Sequence, residues 1–256
     1  MQPVKLTYYA PTAVAKPAVV VICPGGGYRF LSDRESAPIA RAFNQLGYHA
    51  YVAEYTVNQP GLGFLPARQL AGALQQAKAE APVYGFSPDK IFVCGFSAGG
   101  HLAATLGVYW NNPEVTGIAP EQAVRPAGMI LAYPVITMGD YAHPGSREML
   151  TAGDAALCRA LSLEQQVTLD TAPAFVWQTI TDEKVPVQNS LLFVQALLAA
   201  GVPVEYHLYD HGLHGMSLAT AEVADPAEGQ LPDLHIATWL QQCDYWLQEQ
   251  IGGTAL

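Results

Sequence analysis

The chain predicts an α/β protein with a mainly parallel central sheet, helices on both faces and a small lid-like insertion after the fourth recognisable strand. Three observations carry this expectation. Short apolar runs alternate along the chain with longer stretches of good helix formers. Several of those runs lack polar alternation, as strands covered on both faces do. The 256 residues are 50% hydrophobic, enough to bury one large core. A single domain over 1–256 is therefore expected.

The elements follow in order. "AVVVIC", 18–23, is a β-branched strand that ends in "PGGGY". "SAPIARAFNQLG" places Ile39, Phe43 and Leu46 on one helical face, with Gly47 as a stop. "YHAYVAEY", 48–55, is a second strand, and "ARQLAGALQQAKAEA", 67–81, a helix. "DKIFVCG", 89–95, leads as a third strand into the helix "SAGGHLAATLGVYW", 97–110. "AGMILAYP", 127–134, is the fourth strand. Residues 135–171 are too long for a plain crossover and predict an insertion with one or two short helices over the sheet edge. "APAFVWQTI", 172–180, and "PVEYHLYD", 203–210, are the last strands, with the helix "VQNSLLFVQALLAAG" between them. A closing amphipathic helix, 232–250, starts near Pro232 and Asp233.

Composition excludes several partner classes. Lys and Arg total 12 against 22 Asp and Glu, a net charge of −10, which disfavours nucleic acid and anionic membranes. The four cysteines form no Cys-x-x-Cys pair, and Cys23 and Cys94 sit in strand-like runs as ordinary buried thiols. No disulfide framework, signal-peptide pattern or membrane-length apolar run is present, so a soluble cytoplasmic protein is expected. The apolar half of the composition leaves room for a homo-oligomer without specifying one.

Chemistry concentrates at strand ends. Gly95-Phe96-Ser97-Ala98-Gly99 is a Gly-x-Ser-x-Gly pattern between a strand and a helix, the context that turns a serine hydroxyl outward as a nucleophile. The Ala98 amide then faces any oxyanion formed there. His101, one helical turn on, is expected to be structural. Gly25-Gly26-Gly27 follows the first strand but fits neither the Walker nor the dinucleotide spacing, so its amides are read as the other half of an oxyanion hole. In the chain order Ser, acid, His, the acid falls after the fifth strand at Asp182, with Glu183 as rival and Asp140, Asp154 and Asp170 weaker. The base falls after the sixth strand, where His211 and His214 both qualify; His207 is read as a packed or edge strand residue and His235 as surface.

The motifs "VICPGGGYRFLSDRE", "GFSAGGHLAA", "YPVIT", "HPGSRE", "FVWQTITDEKVPVQNSLLF" and "GVPVEYHLYDHGLHGMSL" together resemble the α/β-hydrolase esterases of the acetyl-esterase and acetyl-xylan-esterase-like group, over about residues 17–220. The resemblance implies an α/β-hydrolase fold. It implies Ser97 as nucleophile, Asp182 in Asp-x-x-Val-Pro as acid, and His214 in Gly212-Leu213-His214-Gly215 as base. It implies an oxyanion hole of Gly26, Gly27 and Ala98, although Pro24 stands where related esterases carry a histidine. Tyr28, Tyr141, His143 and Arg147 are the expected substrate-binding residues. The implied chemistry is hydrolysis of short acyl esters, acetyl groups on sugars or xylo-oligosaccharides, through an acyl-enzyme with no cofactor or metal. The alternatives are a small serine peptidase or lactonase on the same fold, a non-catalytic binding protein of that fold, and a metal hydrolase using His211 and His214.

Overall fold

In the computed structural model, which describes residues 4–252, the expected strands form as Val19–Cys23, His49–Glu54, Ile91–Phe96, Gly128–Ala132, Ala174–Thr179 and Val204–Tyr209, here β2 to β7. One strand was not expected: Lys5–Tyr9, β1, pairs antiparallel with β3 at the sheet edge. Its five residues are exposed or half-buried, so no apolar run marks it. Tyr8 secures it by stacking on Tyr84 and by a 2.7 Å hydrogen bond between its hydroxyl and His49 Nδ1. The sheet order is β1-β3-β2-β4-β5-β6-β7, and every pair but β1–β3 is parallel.

Successive residues of each central strand feed opposite cores. Val19, Val21, Val93, Leu131 and Val176 pack with one face, which is covered by Leu65–Tyr84 (α2, after Ala37–Gln45, α1), Ala98–Tyr109 (α3) and, beyond the short Pro113–Thr116 (α4), Gln188–Ala199 (α7). Val20, Ile22, Phe96, Ile130, Phe175 and Trp177 pack with the other, beneath α1 and Trp239–Gly252 (α8). The side-chain period of two explains why these strands read as unbroken apolar runs. The closing helix begins at Trp239 and not near Pro232. Asp233 instead lies in the turn before a short 3-10 helix at Ile236–Thr238, its Oδ1 accepting from the N–H groups of His235 and Ile236 at 2.9 and 3.0 Å.

Residues 135–171 fold into two short helices, Pro144–Thr151 (α5) and Ala155–Ala160 (α6), and a 3-10 turn at Leu163–Gln165. They are fastened to α3 and α7, and His143, Pro144 and Gly145 reach the cleft that holds Ser97. Buried Asn189 of α7 accepts from the amides of Ile136 and Thr137 at 2.8 and 3.1 Å. From α3, His101 Nε2 donates to the Leu161 carbonyl at 2.9 Å and the Tyr109 hydroxyl donates to the Ala160 carbonyl at 2.9 Å. The carbonyl fixes the His101 proton on Nε2, so its Nδ1 accepts from the Tyr28 hydroxyl at 3.0 Å. His101 is thus a structural tie beneath the glycine loop.

Burial lowers the His101 pKa from 6.5 to about 4, with the Leu161 bond opposing the shift. The neutral ring's contribution to stability is therefore complete above pH 6.5 and is lost as pH falls through about 4. Denaturant unfolding at pH 7 and pH 4 measures it: native protein should lose about 3 kcal/mol more across that window than His101→Gln does. Equal losses would show that the ring does not resist protonation.

Candidate active site

The parallel register sets Cys23 beside Gly95, bringing the carboxyl ends of β2 and β4 together. Ligands of open α/β sheets bind in such a crevice, where neighbouring connections leave toward opposite faces. Ser97 occupies the turn between β4 and α3 with φ 53° and ψ −116°, a backbone conformation that side chains rarely adopt. The surrounding glycines allow that turn: a Cβ on Gly95 would lie 2.0 Å from the Gly99 carbonyl oxygen, and one on Gly99 2.0 Å from that of Cys23. Ser97 is 5% exposed.

Two loops from the far side of the sheet meet this serine. His214 Nε2 lies 2.8 Å from Ser97 Oγ, and His214 Nδ1 lies 2.7 Å from Asp182 Oδ2. The buried Asp182 carboxylate also accepts from the amides of Lys184 and Val185, at 3.0 and 2.9 Å, and from Gln178 Nε2 at 3.2 Å. Those donors orient the carboxylate so that it accepts from Nδ1–H, which leaves Nε2 to accept from the serine hydroxyl. The ring is further located by Tyr133, edge-on at 5.1 Å and 71°, and by Gln230, whose amide donates to the His214 carbonyl. The Gly212 backbone is held by Thr179 and Thr181.

The other candidate residues lie apart. Glu183 is exposed and Asp154 caps α6. Asp140 and Asp170 are exposed. His211 sits with Nδ1 2.6 Å from Asp210 and Nε2 2.7 Å from Asp233, so both nitrogens face carboxylates away from Ser97. These two hydrogen bonds raise its pKa. His207 lies on the edge strand β7, against Glu205, and His235 is exposed.

On the oxyanion side, Gly25 is already engaged: its N–H donates to Glu35 Oε2 at 2.8 Å. The amides of Gly26 and Gly27, and that of Ala98 at the first position of α3, meet no acceptor among the described residues. Gly26 (φ 121°) and Gly27 (φ 63°) line the cleft with Ser97. The loop without the histidine is anchored by other means. Its Gly25 carbonyl takes the Ser32 amide at 3.1 Å, its Pro24 carbonyl takes the Tyr55 hydroxyl, and its Tyr28 carbonyl takes the Asn58 amide at 2.8 Å.

The cleft over Ser97 has a volume of about 700 Å³. Of the expected substrate-binding residues, only His143 lines it. Tyr28 is buried with its hydroxyl on His101, Tyr141 is exposed outside the cleft, and Arg147 is exposed on α5. Arg29, Phe30, Arg34, Glu35 and Lys184 take their places in the lining. All but Lys184 follow the glycine run within ten residues, a proximity that alone could have marked them. His143 caps α5: its Nδ1 accepts from the Ser146 amide at 3.2 Å. Burial, then the neighbouring His214 and Arg29 charges, lower its pKa. The ring is thus neutral at pH 7 with its proton on Nε2, an uncharged donor in the cleft wall.

Histidine titration followed by NMR checks these environments. His143 should titrate below the free-imidazole range and His211 above it. Asp233→Asn removes a hydrogen-bonded carboxylate and should lower the His211 value while leaving His143 unmoved.

A family model described as BD-FAE matches residues 6–197. The chain is 36% identical over 214 residues to Endo-1,4-beta-xylanase B of Butyrivibrio fibrisolvens, covering 79% of this chain and 33% of that one. It is 28% identical over 209 residues to the acetylxylan esterase of Xylanibacter ruminicola, covering 78% of this chain and 41% of that one. This chain thus spans less than half the length of either curated relative. The crystal structure of an acetyl ester-xyloside bifunctional hydrolase from Caldicellulosiruptor lactoaceticus has a TM-score of 0.83 at 32% identity, over 97% of this chain and 88% of that one. By the family match over most of its length and by its sheet topology, the chain belongs to the BD-FAE family and has the α/β-hydrolase fold.

Proposed function

We propose that this chain is a serine carboxylic-ester hydrolase acting on short acyl esters, with acetyl groups on sugars or xylo-oligosaccharides as its substrate class. The hydrogen-bonded series Ser97–His214–Asp182, opening on a cleft with unengaged amides, carries the reading. The names of the acetylxylan esterase and the acetyl ester-xyloside hydrolase support the acetyl-sugar part.

In this mechanism His214 Nε2 takes the Ser97 proton as Oγ attacks the ester carbonyl. The Asp182 carboxylate stabilises the imidazolium without accepting its proton. The negative charge formed on the carbonyl oxygen is met by the amides of Gly26, Gly27 and Ala98, each without a competing acceptor among the described residues. His214 returns the proton to the departing alcohol oxygen, leaving the acyl group on Ser97. A water deprotonated by the same nitrogen then releases the carboxylic acid and restores the serine. The neutral Nε2–H of His143 faces the alcohol side as a donor to a sugar hydroxyl, and exposed Phe30 offers an apolar face beside it.

Ser97→Ala and His214→Ala should each lower kcat/KM for 4-nitrophenyl acetate by about 10³-fold or more while leaving the fold intact. His211→Ala should stay within about threefold of the native value, because its ring is committed to two remote aspartates. Full activity in Ser97→Ala would overturn the mechanism. A panel of acetylated xylo-oligosaccharides, acetylated monosaccharides, nitrophenyl esters of rising acyl length and an aminoacyl anilide tests the substrate class. Acetyl esters should be turned over fastest, and a preference for the anilide would make the chain a peptidase.

A further inference from the structure

Glu35 is a buried carboxyl, 4% exposed, with no ion-pair partner among the described residues. An acid in such a place is costly unless its oxygens are satisfied, and the packing alone gives no reason to keep it. Both oxygens are satisfied, each by a different loop of the site. Oε2 accepts from the Gly25 N–H at 2.8 Å, and Oε1 accepts from the Tyr133 hydroxyl at 2.6 Å. The Tyr133 oxygen in turn accepts from the amide of Ser217, three residues after His214, at 2.9 Å. Burial and the Glu35 charge hold the Tyr133 phenol well above its usual range, so it is the donor to the carboxylate.

The chain of contacts has a direction. A Cβ placed on Gly25 would lie 2.5 Å from Glu35 Oε2 and 3.1 Å from Ser97 Cβ, so the glycine loop is packed between the carboxylate and the turn that carries Ser97. With Gly25 N–H turned inward to Glu35, the next amides, Gly26 and Gly27, are the ones left to the cleft. At the other end, Tyr133 (φ 36°) lays its ring edge-on to His214 while its oxygen holds the Ser217 amide. Ser217 is tied back to the Glu35 segment as well, its hydroxyl donating to the Arg34 carbonyl at 2.7 Å.

We infer that Glu35 is a positioning residue that locks the oxyanion loop, through Gly25, to the loop carrying the base, through Tyr133 and Ser217. The role rests on the reading of Ser97 and His214 given above. Glutamine would fill the same space, but its amide can accept from only one of the two donors, so one loop loses its register. An interaction of this kind acts on the transition state more than on substrate binding, because the oxyanion and the imidazolium form only during reaction.

The test compares native protein with Glu35→Gln and, as a second variant that keeps the Gly25 bond, Tyr133→Phe. Three quantities are measured on each: kcat and KM for 4-nitrophenyl acetate, the rate of Ser97 phosphonylation by an alkyl fluorophosphonate followed by intact mass, and the folded fraction from thermal unfolding. Glu35→Gln should lower kcat by about 10- to 100-fold with KM within about threefold, and phosphonylation should slow in parallel. Tyr133→Phe should show the same split. The double variant should fall little below the lower single one, because both act through one chain of contacts. Rates within about threefold of native in folded Glu35→Gln or Tyr133→Phe would overturn the inference, as would a loss accounted for by the unfolded fraction or confined to KM. A native chain that neither reacts with the fluorophosphonate nor hydrolyses the ester would overturn the hydrolase reading itself.

Discussion

The close approach of three backbone segments at the carboxyl ends of β2 and β4 is the constraint on which the site depends. Gly25, Gly95 and Gly99 leave no room for a side chain there, and the strained turn at Ser97 exists only because these segments touch. The cost of a residue at φ 53° is carried by the sheet and by α3, which hold both ends of the turn. From that contact the serine, the amide of the first helical residue and the glycine loop converge on one cleft. The parallel register of the sheet then brings Asp182 and His214, from the connections after β6 and β7, to the same end.

Polar burial follows from this arrangement. The acid at Asp182, the carboxyl at Glu35 and the imidazole at His101 are all nearly inaccessible, and each is matched by donors or acceptors of fixed direction. Such groups contribute little net stability but leave few alternative packings, because any displacement strands a polar atom away from water. The apolar cores above and below the sheet supply the stability; the polar groups set where the loops stand.

The parts of this molecule legible in the sequence are those whose physics is local. Strands buried on both faces read as apolar runs, and a serine between glycines at a strand–helix junction announces a tight turn. The order of acid and histidine along the chain placed Asp182 and His214, and those two do meet Ser97. Strand β1 was hidden because an edge strand with half-buried residues has no apolar signature. Asp233 reads as the start of a long helix, yet it lies in the turn before a short 3-10 helix; the long helix starts at Trp239, whose indole donates to the Ser217 carbonyl in the loop that carries His214. Tyr28, Tyr141 and Arg147 were expected at the site from the family resemblance, Tyr141 and Arg147 through the insertion that carries them; which way each faces is decided by tertiary packing. Nearness to the glycine run could have marked Glu35 as a neighbour of the site, but its burial was not legible, for the same reason. Between Asp33, Arg34 and Ser36 it has the look of a solvated turn, and only the fold buries it.

The fastening of residues 135–171 has a kinetic meaning. Asn189, His101 and Tyr109 hold this segment through buried backbone acceptors and donors, and only the start of α5 faces the cleft. For such a wall to swing as a hinged flap does, these buried hydrogen bonds would have to break. The exposed side chains of Phe30 and Arg29, across the cleft, can change rotamer without disturbing that wall. On this side the cleft is bounded by backbone that is tied to the body of the fold at several points.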